Sequence, residues 1–317
     1  MATSTTEPAA IEQLFDQTTA ITNLDDFPQA VMTLDNLSCI EISGPDSEGF
    51  LQGQFTNDVS TLQPDSYQLN AYCNPKGRAL AVFRLLKADD RYNLILPSDL
   101  APGIIHRLQM YKMRAKVEIA EAEEVTLIGA INLDLRNRNS SCRVLSVDEN
   151  RTMIVADHAS ANEILNNHTT QFAESDLWRI AEIVSGTPQV YSATSEEFIP
   201  QHINLDLISA VSFSKGCYPG QEIVARLRYL GKMKQRMIAG TVQDDRVIEP
   251  GQGVYTVERA EQKSGSVVEA VHCGSVYYVL STVPSSYIDE GELRLRESSG
   301  PVLNRLPLPY PITLGKS

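Results

Sequence analysis

The chain has 317 residues, 42% apolar and 21% charged, enough to bury a sizeable core and to form two or three domains. Its formal net charge is −13, a field that opposes nucleic acid everywhere except at local basic stripes. No stretch approaches the roughly eighteen apolar residues of a membrane span, and five scattered cysteines with no Cys-x-x-Cys pair disfavour a preformed zinc or four-cysteine cluster site.

Residues 1–10 are small and polar, without the basic and apolar segments of a signal peptide or the arginines of a transit peptide. The expectation is a frayed tail over 1–25 on a cytoplasmic protein. Residues 32–42 partly alternate and are rich in β-branched side chains, which predicts one strand. Ser43-Gly44-Pro45-Asp46 then turns and caps a short helix bearing Phe50 and Leu51. The run from Gln52 through Gly53, Gln54, Phe55, Thr56, Asn57 and Asp58 to Val59 reads as that helix's end with a left-handed glycine.

Two strands over 67–73 and 79–86 are joined by Asn74-Pro75-Lys76-Gly77-Arg78, a hairpin with turn chemistry. It is either a good turn or one that also aims Lys76 and Arg78 at a ligand. A strand over 92–96 precedes a helix from Pro102 to Tyr111, and Arg107, Lys112, Arg114 and Lys116 form a basic stripe of solvated character. Strands are predicted over 125–135, 143–147 and 153–155, a polar loop over 137–141 and a helix over 159–167. A further helix over 177–183 carries Trp178, the chain's one tryptophan, which serves either the core or a ligand platform.

The stretch Lys215-Gly-Cys-Tyr-Pro-Gly-Gln-Glu222 organises the rest. Gly216 and Gly220 permit positive φ and Pro219 fixes its own, so the backbone turns sharply at Cys217 and presents the thiol. A helix follows, with Ile223, Val224, Leu227 and Leu230 at helical spacing and Gly231 as a stop. From Lys215 to Arg236 six basic residues face one acid, a local +5 that leaves −18 for the remainder. Beside Lys215 and a helix N-terminus, the Cys217 thiol is expected below its free pKa of about 8.5. The competing reading is a tight turn with a buried, inert cysteine and a solvated basic face.

Beyond Gly231, short β-rich runs over 235–242, 253–257, 266–272, 276–283 and 292–295 are separated by turn residues, the pattern of a small barrel. The proline-rich end, 306–312, should be extended over a surface.

The sequence Lys-Gly-Cys-Tyr-x-Gly-Gln-Glu-Ile-Val-Ala-Arg resembles the signature of the YgfZ family of folate-binding proteins, relatives of the T-protein (aminomethyltransferase) of the glycine cleavage system. The likeness takes in Phe198-Ile199-Pro200-Gln201, Asn204-Leu205 and Ser212-Phe213 upstream, and the segment Gln52 to Val59 resembles the family's Leu-Gln-Gly-Gln-x-Thr-x-Asp-Val; it covers residues 30–240. It implies an α+β fold with ferredoxin-like subdomains around a central folate-binding channel, a folate-binding body over 26–234, and a C-terminal β-barrel with an extended tail over 235–317. Cys217 and Lys215 are the implied catalytic pair. Trp178, Leu37, Gln54, Lys76 and Arg226 are the implied folate-binding set, with tetrahydrofolate as cofactor and no metal. Two positions depart from the pattern. The T-proteins read Arg-x-Glu-x-Gly where this chain places Val184 at the acid, and Leu37 stands where the family has an aromatic.

The function that follows from the resemblance is a tetrahydrofolate-binding accessory protein supporting the assembly or repair of iron–sulfur enzymes, including tRNA-modifying ones. Its partners would be a reduced folate and iron–sulfur client or assembly proteins. The alternative is a folate-dependent one-carbon transferase, against which the missing acid at Val184 counts. Direct tRNA binding is disfavoured by the net charge, and no membrane association is expected.

Overall fold

The computed structural model describes residues 20–88, 91–135, 142–166, 171–259 and 262–314; the tail up to residue 19 and the loop expected at 137–141 lie outside the described residues. The strand predicted over 32–42 is two strands, β1 (Ala30–Thr33) and β2 (Leu37–Ser43). The Leu37 amide donates to the Leu34 carbonyl at 3.0 Å across Asp35 and Asn36, turn-forming residues that divert the chain from one sheet into another.

The first sheet is an antiparallel one. After the short helix α1 (Ser47–Gln52) come β3 (Tyr67–Cys73), β4 (Ala79–Ala88) and β5 (Arg91–Pro97), and after α2 (Ala101–Tyr111) comes β6 (Glu118–Glu121). Their order is β3-β4-β5-β2-β6. Gly53 closes α1 at φ −84°, a right-handed ending where the sequence had suggested a left-handed one, because its amide still bonds back into the helix. β6 has no counterpart among the predicted strands; only Ile119 of its four residues is buried, so its apolar signal is slight.

The second sheet takes β1 together with β7 (Val125–Ile131), β8 (Arg143–Ser146), β9 (Arg151–Asp157) and β10 (Gln171–Phe172), in the order β10-β1-β7-β9-β8. Between β9 and β10 lies α3 (His158–Asn166). Next, α4 (Ser175–Val184) buries Leu177, Trp178, Ile180 and Ala181 between this sheet and the C-terminal strands. α5 (Gln221–Tyr229) follows the signature loop.

The third sheet contains β11 (Gln235–Val242), β12 (Gly253–Thr256), β13 (Gly265–Cys273), β14 (Val276–Pro284), β15 (Leu293–Leu295) and β16 (Leu303–Leu306). Its order is β15-β12-β13-β14-β11-β16, and an isolated bridge from Arg294 to Val302 connects its two edges. β16 falls where no strand was predicted.

One hydrophobic cluster runs from Phe27 to Leu280 and joins the inner faces of all three sheets. Smaller clusters lie around Ile238, Val254 and Val279 in the third sheet, and around Ile128, Ile154 and Ala161 beneath α3. The proline-rich end is extended and straps across the end of α4, where Gly186 at φ +66° receives a hydrogen bond from the Tyr310 hydroxyl at 2.7 Å. Among the described residues no helix is long and apolar enough to cross a membrane.

Candidate functional site

The signature loop is held from two sides. On one side it meets the β3–β4 turn. Gly220 caps α5 at φ +79°, and a Cβ there would stand 2.5 Å from both the Asn74 carbonyl oxygen and the Gly77 Cα. Gly77 is itself at φ +71°, so both turns close on positive-φ glycines. Gly216 needs no such freedom; it has no positive φ, and a Cβ on it would meet nothing within 4 Å. Asn74 organises its own turn by accepting from the amides of Lys76 and Arg78 at 2.9 and 3.1 Å. Arg78 is tied to the backbone of Glu196 and Glu197, while Lys76 is exposed at the tip.

On the other side Lys215 turns inward. Its buried ammonium donates to the carbonyls of Gln52, Phe55 and Asn57, each at 2.7 Å. All three of its protons are thereby used. Burial pushes its pKa down to about 8, opposed by the charge of Asp58. Thr56 completes the wrap: its hydroxyl donates to the Ala210 carbonyl and accepts from the Ala71 amide, both at 2.8 Å. The segment 52–57 is thus a carbonyl cage for Lys215. Gln54 belongs to that cage's loop, and its buried Oε1 has no hydrogen-bond partner.

The motif residues further upstream are joints. Gln201 donates to the Val224 carbonyl of α5 at 2.6 Å, and Asn204 exchanges two hydrogen bonds with the Met237 backbone of β11. Within this frame Cys217 is exposed, whereas Cys39, Cys73 and Cys273 are buried and Cys142 is partly so. Burial raises the thiols of Cys39 and Cys73 to about 12. Among the described residues no group of three His, Cys, Asp or Glu side chains is placed to hold a metal ion.

A central pocket of about 390 Å³ opens between the first two sheets and the end of α4, lined by Tyr67, Arg84, Asp148, Arg151, Ser185 and Thr187. Behind this lining the carboxylate of Glu182 is buried, 2.8 Å from Arg84 and 2.7 Å from Arg151. Arg151 also holds Asp148 at 2.6 Å. The Arg84 Nε is buried without a hydrogen-bond partner.

Trp178 sits below this pocket. It is 1% exposed, packed so tightly on β7 that a Cβ on Gly129 would meet its ring at 2.6 Å, and the Arg151 guanidinium lies 5.4 Å from its ring centre. At that exposure the ring is a core contact in this arrangement, with no free stacking surface. Leu37 lines a separate depression with Asp35, Glu121 and Glu123, and Arg226 lines a cleft beside α5. Leu37, Trp178 and Arg226 thus stand at three different places in the fold.

Arg84, Arg151 and Glu182 were missed by reading the sequence, yet they leave a signal there. Arg84 stands among apolar residues in the middle of β4, Glu182 lies on the buried side of α4 and Arg151 opens a buried strand, and charges buried in this way must find one another. Arg236, counted with the basic stretch after the signature, is likewise buried, held by both oxygens of Asp206 at 2.6 and 3.0 Å.

The chain is 31% identical to the tRNA-modifying protein YgfZ of Klebsiella pneumoniae, over 89% of this chain and 93% of that protein. It is 30% identical to the protein of the same name from Vibrio atlanticus, over 93% of this chain and 96% of that one. Among solved structures it is similar to the glycine cleavage system aminomethyltransferase T from Bartonella henselae, with a TM-score of 0.63 at 12% identity, covering 89% of this chain and 86% of that one. No protein-family model matches the chain.

Proposed function

The chain belongs to the YgfZ family, and on that premise we propose that it is a cytoplasmic, reduced-folate-binding accessory protein that supports the assembly or repair of iron–sulfur enzymes, tRNA-modifying ones among them. The observation that carries this reading is the exposed thiol of Cys217 on a loop fixed by Lys215 and Gly220. A thiol that must meet a partner protein has to be accessible, and one that must act reproducibly has to be held. Lys215 acts as a positioning residue, its protons being committed to the carbonyl cage.

The central pocket supports the folate half of the proposal. Its volume falls in the range of about 300–1,000 Å³ common to small-molecule sites. The unpartnered Arg84 Nε and the guanidinium of Arg151 suit the carbonyl and carboxylate oxygens of a folate, and Asp148 suits its amino hydrogens. Trp178 bears on the ligand through Arg151, and Lys76 and Gln54 through the signature loop. On this reading the first two sheets are ferredoxin-like halves about the pocket and the third is a small barrel.

One-carbon transfer requires a free acid or base at the transferred carbon, and the Glu182 carboxylate is committed to two arginines. The test is complementation. In cells lacking the protein, a Cys217→Ala variant should fold and bind reduced folate yet leave iron–sulfur tRNA-modifying activity unrestored. Full restoration would remove the thiol from the function.

A further inference from the structure

A second and larger cleft, of about 630 Å³, lies between α5 and the start of the third sheet. Ile199, Ile223, Leu227 and Pro284 give it an apolar wall, while Arg226, Lys232, Lys234 and Lys263 supply cations and no Asp or Glu lines it. Lys263 is paired with Glu197 at 2.9 Å; among the described residues no carboxylate pairs with Arg226, Lys232 or Lys234. Three like charges without a carboxylate partner among the described residues, on one concave surface, repel each other, in a protein whose net charge is −13. A concave site of one sign focuses its field and concentrates the opposite ion. The apolar wall would be left without a partner by a bare inorganic anion.

We propose that this cleft binds a small organic polyanion with a planar apolar body, the chemistry shared by nucleoside phosphates and polyglutamylated folates. The site shares no lining residue with the central pocket, so it is a separate site whichever polyanion fills it. Its occupant would press on α5, the helix that begins immediately after Gly220 and hence after the Cys217 loop.

Calorimetric titration of the full chain with ATP, a triglutamylated reduced folate, tripolyphosphate and adenosine tests it. ATP or the folate should bind at least about tenfold more tightly than tripolyphosphate or adenosine, and Lys232→Glu with Lys234→Glu should weaken that binding by about tenfold or more. Arg114→Glu with Lys116→Glu, at exposed cations outside the cleft, should leave it unchanged. Which of the two polyanions loses affinity in the cleft variant identifies the source. A folate site in the central pocket would respond to Arg151→Met and not to the cleft variant, so the two ideas fail separately. Unchanged affinity for both ATP and the folate in the cleft variant, tripolyphosphate binding as tight as ATP, or no heat from any organic polyanion at about 1 mM overturns the proposal.

Discussion

A Cβ added to Gly220 would stand 2.5 Å from the Cα of Gly77, so the loop bearing Cys217 and the β3–β4 turn touch through two glycines, both at positive φ. Gly220→Ala must accept a left-handed backbone and force the two turns apart, at a cost of about 2 kcal/mol or more. Gly216→Ala, four residues away in an open position, should change stability by less than about 0.5 kcal/mol. Urea unfolding of the two variants checks the contrast. Equal losses would mean that the contact does not hold the loop.

The accessible position of Cys217 predicts its chemistry relative to the other thiols. Iodoacetamide should label Cys217 well before Cys39 and Cys73, which are buried and whose thiols burial raises to about 12. Peptide mass spectrometry over a pH series ranks them. Cys217→Ala should melt at the wild-type temperature, since the exposed side chain fills no core space. Labelling of Cys39 at the Cys217 rate in native protein would contradict the ranking.

What the sequence made legible depended on whether the relevant partners were local. The turn at Gly220, the helix after it and the β3–β4 hairpin are short-range consequences of glycine, proline and periodicity, and they stand where expected. The task of Lys215 was not legible, because its partners are backbone carbonyls some 160 positions away, which carry no side-chain signature. Trp178 was half legible: a lone tryptophan on an apolar helix belongs to the core, and Gly129 is what lets it sit there. Counting Arg236 with a surface stripe failed because Asp206 lies on another element and takes its charge.

The Arg84–Glu182–Arg151 cluster carries a sharp stability prediction. Its side chains are 2–4% exposed, and Glu182 is the carboxylate that both guanidiniums share. Glu182→Gln keeps the shape but leaves buried positive charge uncompensated, which costs about 3–5 kcal/mol when a buried pair is broken. Because Arg151 lies 5.4 Å from the Trp178 ring centre, the emission of that tryptophan should shift in the same variant. Unfolding followed by Trp178 fluorescence measures both. A loss below about 1 kcal/mol would show that the cluster is solvated in solution and does not organise the pocket.

Lys215 gives the protein a specific alkaline signature. Burial holds its pKa at about 8 in the fold, against an ordinary 10.5. Between those two values the unfolded chain binds a proton that the folded chain has released. Stability therefore rises with pH wherever the unfolded state is the more protonated, here from about 8 to 10.5, and this group contributes no slope below that window. Deprotonation has a structural consequence too. A neutral amine has two hydrogens, so one of the carbonyls of Gln52, Phe55 and Asn57 must lose its partner, and the loop around Cys217 should loosen just as the fold gains. Lys215→Met removes the titration, so the wild-type stability should climb relative to that of the variant across this window. Carbon NMR of the lysine Cε resonances gives the midpoint directly in the unmodified protein. A Lys215 midpoint at the ordinary value, with parallel stability curves for the two proteins, would show that the carbonyl cage fully replaces the lost water.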